Sequence, residues 1–203
     1  ALNAVKFLYA EVLQDRQKID LKVAKRTQKL PIVLSHKEIE SIIKETENPK
    51  YRLMISLGYA CGLRVSEVTN LKVADLDIDE LVIHIKNAKG KKDRISILPE
   101  TLQNDLQNLT AGKNATDFVF SSNRGGKLTT TSLQKMFRQS LAKTNIKKPV
   151  TFHSLRHSFA THLLENGTDV RYVQELLGHA NIRTTQIYTQ VTNPKLRNIK
   201  SPL

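Results

Sequence analysis

The feature of the sequence that most constrains the fold is an apolar segment between Tyr51 and Cys61. Apolar side chains cover almost every face of this predicted helix, and a helix of that kind is buried on all sides. Pro49 separates it from the preceding helix, and Gly62 ends it. Other elements must therefore enclose it, and a chain of 203 residues is long enough to build such a core without disulfides or metals.

Two further patterns predict the fold class. Apolar and polar residues alternate over 81–86 and again over 94–97, which indicates two strands of a hairpin joined by residues 87–93. Most other apolar residues recur at helical spacing. The predicted fold is α+β, mostly helical with a small antiparallel sheet. A short strand is predicted at Phe118–Phe120. Further helices are predicted over residues 2–13, 101–109 and 185–188. Other helices are predicted to begin at the Ser35 capping box, at Thr131 and after Pro194, one to end at Gly167, and one to run from Asp169 to Gly178.

The composition restricts the class of partner. Lys and Arg number 32 against 19 Asp and Glu, a formal net charge of +13, which favours a polyanion such as nucleic acid. The single cysteine, Cys61, excludes a disulfide framework and a cysteine-based zinc site. Absence of tryptophan and 5% aromatic residues argue against a single-strand binder built on stacking. No stretch approaches the roughly 20 apolar residues of a membrane span, so no membrane partner is expected.

Several polar residues lie where helices and strands end. Taken singly, each has an ordinary structural explanation, such as a salt bridge, a helix cap or a solvated loop. Together they suit phosphoryl transfer: two guanidinium groups can clamp a phosphodiester, a tyrosine can attack it, and a histidine and a lysine can move protons. No acidic cluster suggests a magnesium site, so no metal is expected. The candidate catalytic residues are Arg64, Lys89, His153, Arg156, His179 and Tyr188.

Four separated motifs carry a family resemblance. They are Gly62-Leu63-Arg64-Val65-Ser66-Glu67, the hairpin run Gly90-Lys91-Lys92-Asp93-Arg94, His153-x-x-Arg156-His157-x-x-Ala160, and Leu177-Gly178-His179-x₈-Tyr188-Thr189. In this order they resemble the catalytic domain of tyrosine site-specific recombinases, above all the Xer-type and phage or conjugative-element integrases, over residues 31–191. The resemblance implies the fold of that catalytic domain and a DNA strand-exchange reaction without a metal, ATP or other cofactor.

The resemblance also implies how the phosphate is bound. Arg64 and Arg156 match the two arginines that bind the scissile phosphate. His179 matches a phosphate hydrogen-bond donor, and Glu67 matches the acidic residue that orients the first arginine.

The same resemblance assigns the covalent and proton-transfer steps. Tyr188 matches the nucleophile that forms a 3′-phosphotyrosyl bond, Lys89 the general acid on the 5′ oxygen, and His153 the histidine with general-base work. Tyr188 is expected to be mobile without DNA and to lie away from the arginines. His157, next to Arg156, is expected to face elsewhere on its helix and to serve packing or to support the site residues.

The domain organisation and partners complete these expectations. Residues 1–15 resemble the last helix of an N-terminal core-binding domain, 16–31 a basic linker, 32–192 the catalytic domain and 193–203 a C-terminal tail. The expected partners are double-stranded DNA and other protomers, as a tetramer on paired sites, and the expected location is the nucleoid in the cytoplasm. The candidate DNA contacts outside the catalytic set are Lys91, Lys92, Arg94, Lys127, Lys135, Arg138 and Arg171.

Two alternatives remain open at this point. A type IB topoisomerase shares the fold and chemistry, but the compact hairpin and the Leu177-Gly178-His179 motif favour a recombinase. A catalytically silent DNA-binding regulator on the same scaffold has no chemical need for both Tyr188 and Lys89. The sequence does not distinguish integration and excision of mobile DNA from chromosome dimer resolution.

Overall fold

The computed structural model describes residues 5, 7–14, 30–86, 93–122 and 125–191. Lys89, Lys91 and Lys92, with most of the linker and the C-terminal tail, lie outside the described residues. The fold is mostly helical with a small antiparallel sheet, as predicted. In chain order the main elements are α1 (His36–Lys44), α2 (Pro49–Ala60), α3 (Val65–Asn70), β1 (Leu76–Asp77), β2 (Val82–Ile85), β3 (Arg94–Ile97), α4 (Gln103–Thr110), α5 (Thr130–Ala142), α6 (Phe152–Glu165), α7 (Val170–Leu177) and α8 (Arg183–Thr189).

Helix α2 is the apolar segment identified from the sequence, and it lies at the centre of the core. It packs most extensively against α6, and α1, α3 and α5 also contact it. Two glycines allow the close approach of α6. A Cβ atom at Gly58 would lie 2.5 Å from the Phe152 ring, and one at Gly62 would lie 2.4 Å from the Phe159 ring. Gly62 also has a φ of +60°, a conformation that other residues adopt at a cost.

The sheet has the order β1-β2-β3, and both strand pairs are antiparallel. The hairpin of β2 and β3 is confirmed, whereas β1 was not predicted. On β3 the polar side chains face the core and the apolar ones face solvent: Arg94 and Ser96 are buried, while Ile95 and Ile97 are exposed. The Ser96 hydroxyl donates to the carbonyl of Cys61 at 2.6 Å, so polar side chains face inward here.

The predicted helix ends agree with the structure at most positions. Ser35 forms its capping box with Glu38, and the Asp169 side chain accepts a hydrogen bond from the backbone of Arg171. Gly178 ends α7 in the left-handed conformation, with φ +62°.

Two local predictions are wrong. The cap of α5 is Thr129 rather than Thr131, since the Thr129 side chain accepts from the backbone N–H of Ser132. The expected strand at Phe118–Phe120 is only an isolated bridge between Phe118 and Lys72, because a single residue pair forms there.

A second, smaller apolar cluster lies beside the main core. It joins Phe159 and Ala160 of α6 to Val173 and Leu177 of α7 and to Tyr188 of α8. Near the N-terminus, one π-helical turn spans Leu8–Val12, and its described apolar side chains are exposed. Among the described residues, none of the helices has the length and apolar character needed to cross a membrane.

Candidate active site

Two arginines approach each other from different elements. Arg64 is the N-cap residue of α3, directly after the turn at Gly62, and 22% of its side chain is exposed. Arg156 is on α6 and is almost fully buried. Its Nη1 donates to the carbonyl of Gly62 at 2.7 Å, and its Nη2 donates to the carbonyl of Leu177. Arg156 therefore links the turn before α3 to the last turn of α7.

Glu67 lies among three arginines. Its carboxylate accepts from Arg64 Nη1 at 2.7 Å and from the Arg64 backbone N–H at 2.7 Å. It also accepts two parallel hydrogen bonds from Arg94, and Arg156 Nη1 lies 3.8 Å away. Burial would raise the pKa of Glu67, but the Arg94 hydrogen bonds and charge, with contributions from Arg64 and Arg156, lower it to about 2. The carboxylate is therefore ionised across the physiological range.

Tyr188 is buried in this cluster, on α8. Only 2% of the residue is exposed, and its Oη lies 2.9 Å from Nδ1 of His157. Burial raises the pKa of the phenol, while the charges of Arg156 and Arg64 lower it in part. The expectation that Tyr188 lies away from the arginines is wrong here, because the charges of Arg156 and Arg64 act on its phenol. The phenol is therefore protonated at neutral pH, and it can donate to His157 when that ring carries its hydrogen on Nε2.

The histidines of the site have low proton affinity. Burial, His153 and Arg156 lower the pKa of His157 to about 4. Burial and the nearby arginines, Arg156 first among them, lower the pKa of His179 to about 4. The pKa of His153 is also lowered, by desolvation and by the charges of Arg156 and Arg64. These rings are neutral at pH 7 and can accept protons, and an entering anion would raise their pKa values.

The rings are also held in fixed positions. His153 and His157 make an edge contact, with centroids 4.4 Å apart. The ring of His179 is nearly parallel to that of Tyr188 at 6.4 Å, and its Nδ1 lies 2.9 Å from Thr185 Oγ1. The structure thus brings the five candidate residues that it describes into one region, including the tyrosine that was expected to lie apart. They are Arg64, His153, Arg156, His179 and Tyr188.

Arg64 and His153 line an open cleft of about 440 Å³. Gln134 and Arg138 of α5 also line it. Arg138 is exposed, so it is positioned for an anion that enters the cleft. Lys127, Lys135 and Arg171 are also exposed, and Lys127 donates to the side chain of Asn70 at 2.9 Å.

Arg94 does not fit the prediction of a DNA contact. Its side chain is only 5% exposed, and the Glu67 carboxylate and the carbonyl of Leu176 occupy its guanidinium. The buried face of β3 explains this difference, because position 94 points under the site rather than toward solvent. The three hairpin lysines lie outside the described residues, so their predicted roles stay predictions.

Sequence reasoning missed His157 as a neighbour of Tyr188. The expectation that it faces elsewhere is wrong, because α8 packs against α6 and brings the tyrosine to that side of the helix. A signal was present in the spacing: positions 153 and 157 are one helical turn apart and share a face.

Comparison with known proteins agrees with this geometry. A family model described as the phage integrase family matches residues 33–194. The tyrosine recombinase XerD of Halalkalibacterium halodurans is 37% identical, with 95% of this chain and 69% of the relative covered. The tyrosine recombinase XerA of Pyrococcus horikoshii is 38% identical, with 90% and 65% covered. The chain thus spans about two thirds of the length of these relatives.

Solved structures give the same result. A crystal structure of XerA recombinase superposes with a TM-score of 0.73 and 34% identity, covering 98% of this chain and 75% of that one. The XerH site-specific recombinase bound to difH substrate in a pre-cleavage complex gives a TM-score of 0.74 and 27% identity, covering 98% and 64%. The resemblance inferred from the four motifs is therefore confirmed at the level of the family and the fold.

Proposed function

Because the chain belongs to the phage integrase family of tyrosine recombinases, we propose that residues 32–192 form the catalytic domain of a site-specific DNA recombinase. The reaction cleaves and rejoins DNA strands through a 3′-phosphotyrosine intermediate. Its biological setting is DNA integration and excision or chromosome dimer resolution. The residues that perform the chemistry are those at the meeting point of α3, α6, α7 and α8.

The observation that carries this proposal is the buried phenol of Tyr188, 2.9 Å from a neutral histidine and beside two arginines. A tyrosine that serves only the core can contact a histidine, as Tyr59 does, but it needs no excess of positive charge beside it. A nucleophile needs both, since a base must take the phenolic proton and cations must stabilise the charge on phosphorus.

The proposed cleavage step balances as a transesterification. The Oη of Tyr188 attacks phosphorus, and the bond between phosphorus and the 5′ oxygen breaks. The phenolic proton passes to a histidine, with His157 in contact and His153 beside it. Lys89 supplies a proton to the departing 5′ oxygen. The phosphotyrosyl bond conserves the energy of the broken phosphodiester, so a 5′-hydroxyl of another strand can reverse the step without ATP.

Arg64, Arg156 and His179 stabilise the non-bridging oxygens in this account. Arg64 is partly exposed at the cleft, so it can reach an incoming phosphate, whereas Arg156 already donates to two carbonyls. Glu67 holds Arg64 by its side chain and its backbone. Negative charge that develops on these oxygens in the transition state is stabilised by positively charged and hydrogen-bonding groups of this kind.

Double-stranded DNA is the proposed substrate. The net charge of +13 supplies the general attraction, and relatives with this fold have been solved bound to DNA, such as XerH with difH. Lys127, Lys135, Arg138 and Arg171 are exposed and suited to phosphate contacts, which position a protein without reading sequence. Other protomers on paired sites complete the assembly, and the location follows the DNA, in the nucleoid of the cytoplasm.

A strand-exchange assay tests the proposal. The chain, joined to the proposed N-terminal core-binding domain, is incubated with synthetic Holliday junctions built on a site that it selects from randomised duplexes, and with supercoiled plasmid in parallel. We expect resolved junctions with exchanged strands. Plasmid relaxation without exchange would instead assign a type IB topoisomerase activity, and DNA binding without any covalent step would assign a regulator.

A further inference from the structure

Arg94 occupies a position that the assigned roles leave unexplained. Its Nη1 and Nη2 donate to the two oxygens of Glu67 at 2.7 and 2.8 Å, and its Nε donates to the carbonyl of Leu176 at 2.8 Å. The side chain is 5% exposed and that of Glu67 is 8% exposed. A bidentate pair of this kind fixes both groups in orientation as well as in distance.

These bonds join three separate parts of the site. Arg94 begins β3, five residues after Lys89, so it anchors one end of the hairpin loop that carries the proposed general acid. Glu67 is on α3 and holds Arg64. Leu176 is in the last turn of α7, which leads to His179.

The side chain of Arg94 packs closely against the turn that ends α7. A Cβ atom at Gly178 would lie 2.7 Å from Cδ of Arg94, so the turn that ends α7 accommodates the arginine stem. The neighbouring carbonyl, that of Leu177, accepts from Arg156. Two arginines from different elements thus bind consecutive carbonyls at the end of α7, and both lie near Glu67.

We propose that Arg94 is a positioning residue for DNA cleavage, which acts through Glu67 and the end of α7 on Arg64 and His179. The inference rests on the proposed function. Without Arg94, the Glu67 carboxylate keeps Arg64 and turns toward Arg156, whose nearest nitrogen is now 3.8 Å away. That movement displaces the phosphate-binding arginines from the geometry that the transition state needs.

The test compares Arg94→Met with Lys86→Met. Lys86 flanks the other end of the same hairpin loop and pairs with Asp75 at 2.9 Å, so the control loses one cation and one ion pair without touching Glu67. Single-turnover cleavage of a nicked duplex is measured at saturating DNA, with the dissociation constant measured separately. We expect Arg94→Met to lose about 10²-fold in rate, as small misplacements do, with DNA affinity close to that of Lys86→Met.

Chemical rescue tests whether the guanidinium itself is needed, and a pH profile separates positioning through Glu67 from a purely structural role. In Arg94→Ala, added methylguanidinium is expected to enter the vacated space and to raise the cleavage rate, while sodium chloride at equal ionic strength does not. The rate of the variant is also expected to fall at a higher pH than that of the parent on acidification, because Glu67 has lost the partner that most lowers its pKa. Methylguanidinium has no such site in Lys86→Met.

A double variant covers the case in which Arg94→Met does not fold. Glu67→Gln with Arg94→Met removes the buried carboxylate that has lost its bidentate partner, and a charge left in that state is the main cause of such instability. We expect it to fold, to cleave slowly and to ignore methylguanidinium. Cleavage at the parent rate in Arg94→Met or in this double variant overturns the inference. It is also overturned if the Arg94→Met defect is confined to DNA affinity, or if Arg94→Ala cleaves slowly and methylguanidinium leaves its rate unchanged. If the parent and Lys86→Met form no adduct, the proposed function fails, and this inference fails with it.

Discussion

Tyr188 Oη and His157 Nδ1 lie 2.9 Å apart, and both residues reach this contact from helices that pack on each other. Helix α6 also contributes the histidine of a second pair with the same distance, since Oη of Tyr59 on α2 lies 2.9 Å from Nδ1 of His162. Only the first pair is beside the arginines. The pair of Tyr59 and His162 is therefore a control for the effect of a tyrosine–histidine contact away from the arginines.

His157→Asn is expected to slow covalent cleavage by about 10²–10⁴-fold, the usual contribution of a positioned base. The reason is that the phenolic proton loses its nearest acceptor. Single-turnover rates on a nicked substrate measure this effect, with His162→Asn as the matched control at the second pair. A parent-like rate in His157→Asn would return the general-base role to His153 alone.

Arg64→Ala and Arg156→Ala are each expected to abolish most cleavage, and the double variant to be little worse, because both serve one transition state. Their stabilities should differ. Arg156→Ala leaves the carbonyls of Gly62 and Leu177 without their donor, at about 1–3 kcal/mol for each unsatisfied group, whereas Arg64 is partly exposed. Urea unfolding checks this difference. Multiplying rate defects would show that the two arginines act independently.

Lys89→Ala is expected to slow cleavage of an ordinary phosphodiester far more than cleavage of a 5′-bridging phosphorothiolate. Sulfur leaves without a proton, and proton donation contributes about 10²–10⁴-fold. Lys91→Ala and Lys92→Ala in the same loop are the controls. Equal defects of Lys89→Ala on both substrates would make Lys89 a phosphate contact and not an acid.

Stability without DNA is expected to fall on acidification. An unfolded histidine has a pKa of about 6.5, while those of His157 and His179 are lowered to about 4 in the fold. Between these two pKa values the unfolded chain binds more protons than the folded one. The contribution of the two histidines to stability is therefore fully present above the unfolded pKa and is lost as the pH falls toward the folded pKa. Urea midpoints from pH 7 to 4 measure the slope, which His157→Asn should reduce. An equal slope in that variant would assign the loss to other groups.

Much of the site could be predicted because its residues lie at element ends that local sequence determines. Gly62 and Gly178 end helices in left-handed turns, and Arg64 and His179 follow within two residues. These turns place the side chains before any tertiary detail is known. The resemblance then related residues far apart in the chain, which periodicity alone cannot do.

The part that sequence reasoning missed depends on which face of an element is buried. Alternation along β3 shows that successive side chains face opposite sides of the sheet, but it does not show which side is buried. The apolar residues Ile95 and Ile97 suggested the side that the structure leaves exposed. Hydrogen bonds decide which side is buried: the Glu67 carboxylate accepts from Arg94, and the Cys61 carbonyl accepts from Ser96. His157 was missed for a similar reason, since only the packing of α8 shows what it faces.

The most direct test of the account is covalent trapping. A pool of nicked duplexes with randomised arms is incubated with the chain joined to the proposed N-terminal core-binding domain, and adducts are resolved on a denaturing gel and sequenced. Tyr172→Phe, which changes an exposed tyrosine on the neighbouring helix, is the matched control. We predict an adduct in the parent and in Tyr172→Phe, and none in Tyr188→Phe, whose DNA binding is retained. An adduct that persists in Tyr188→Phe would contradict the account.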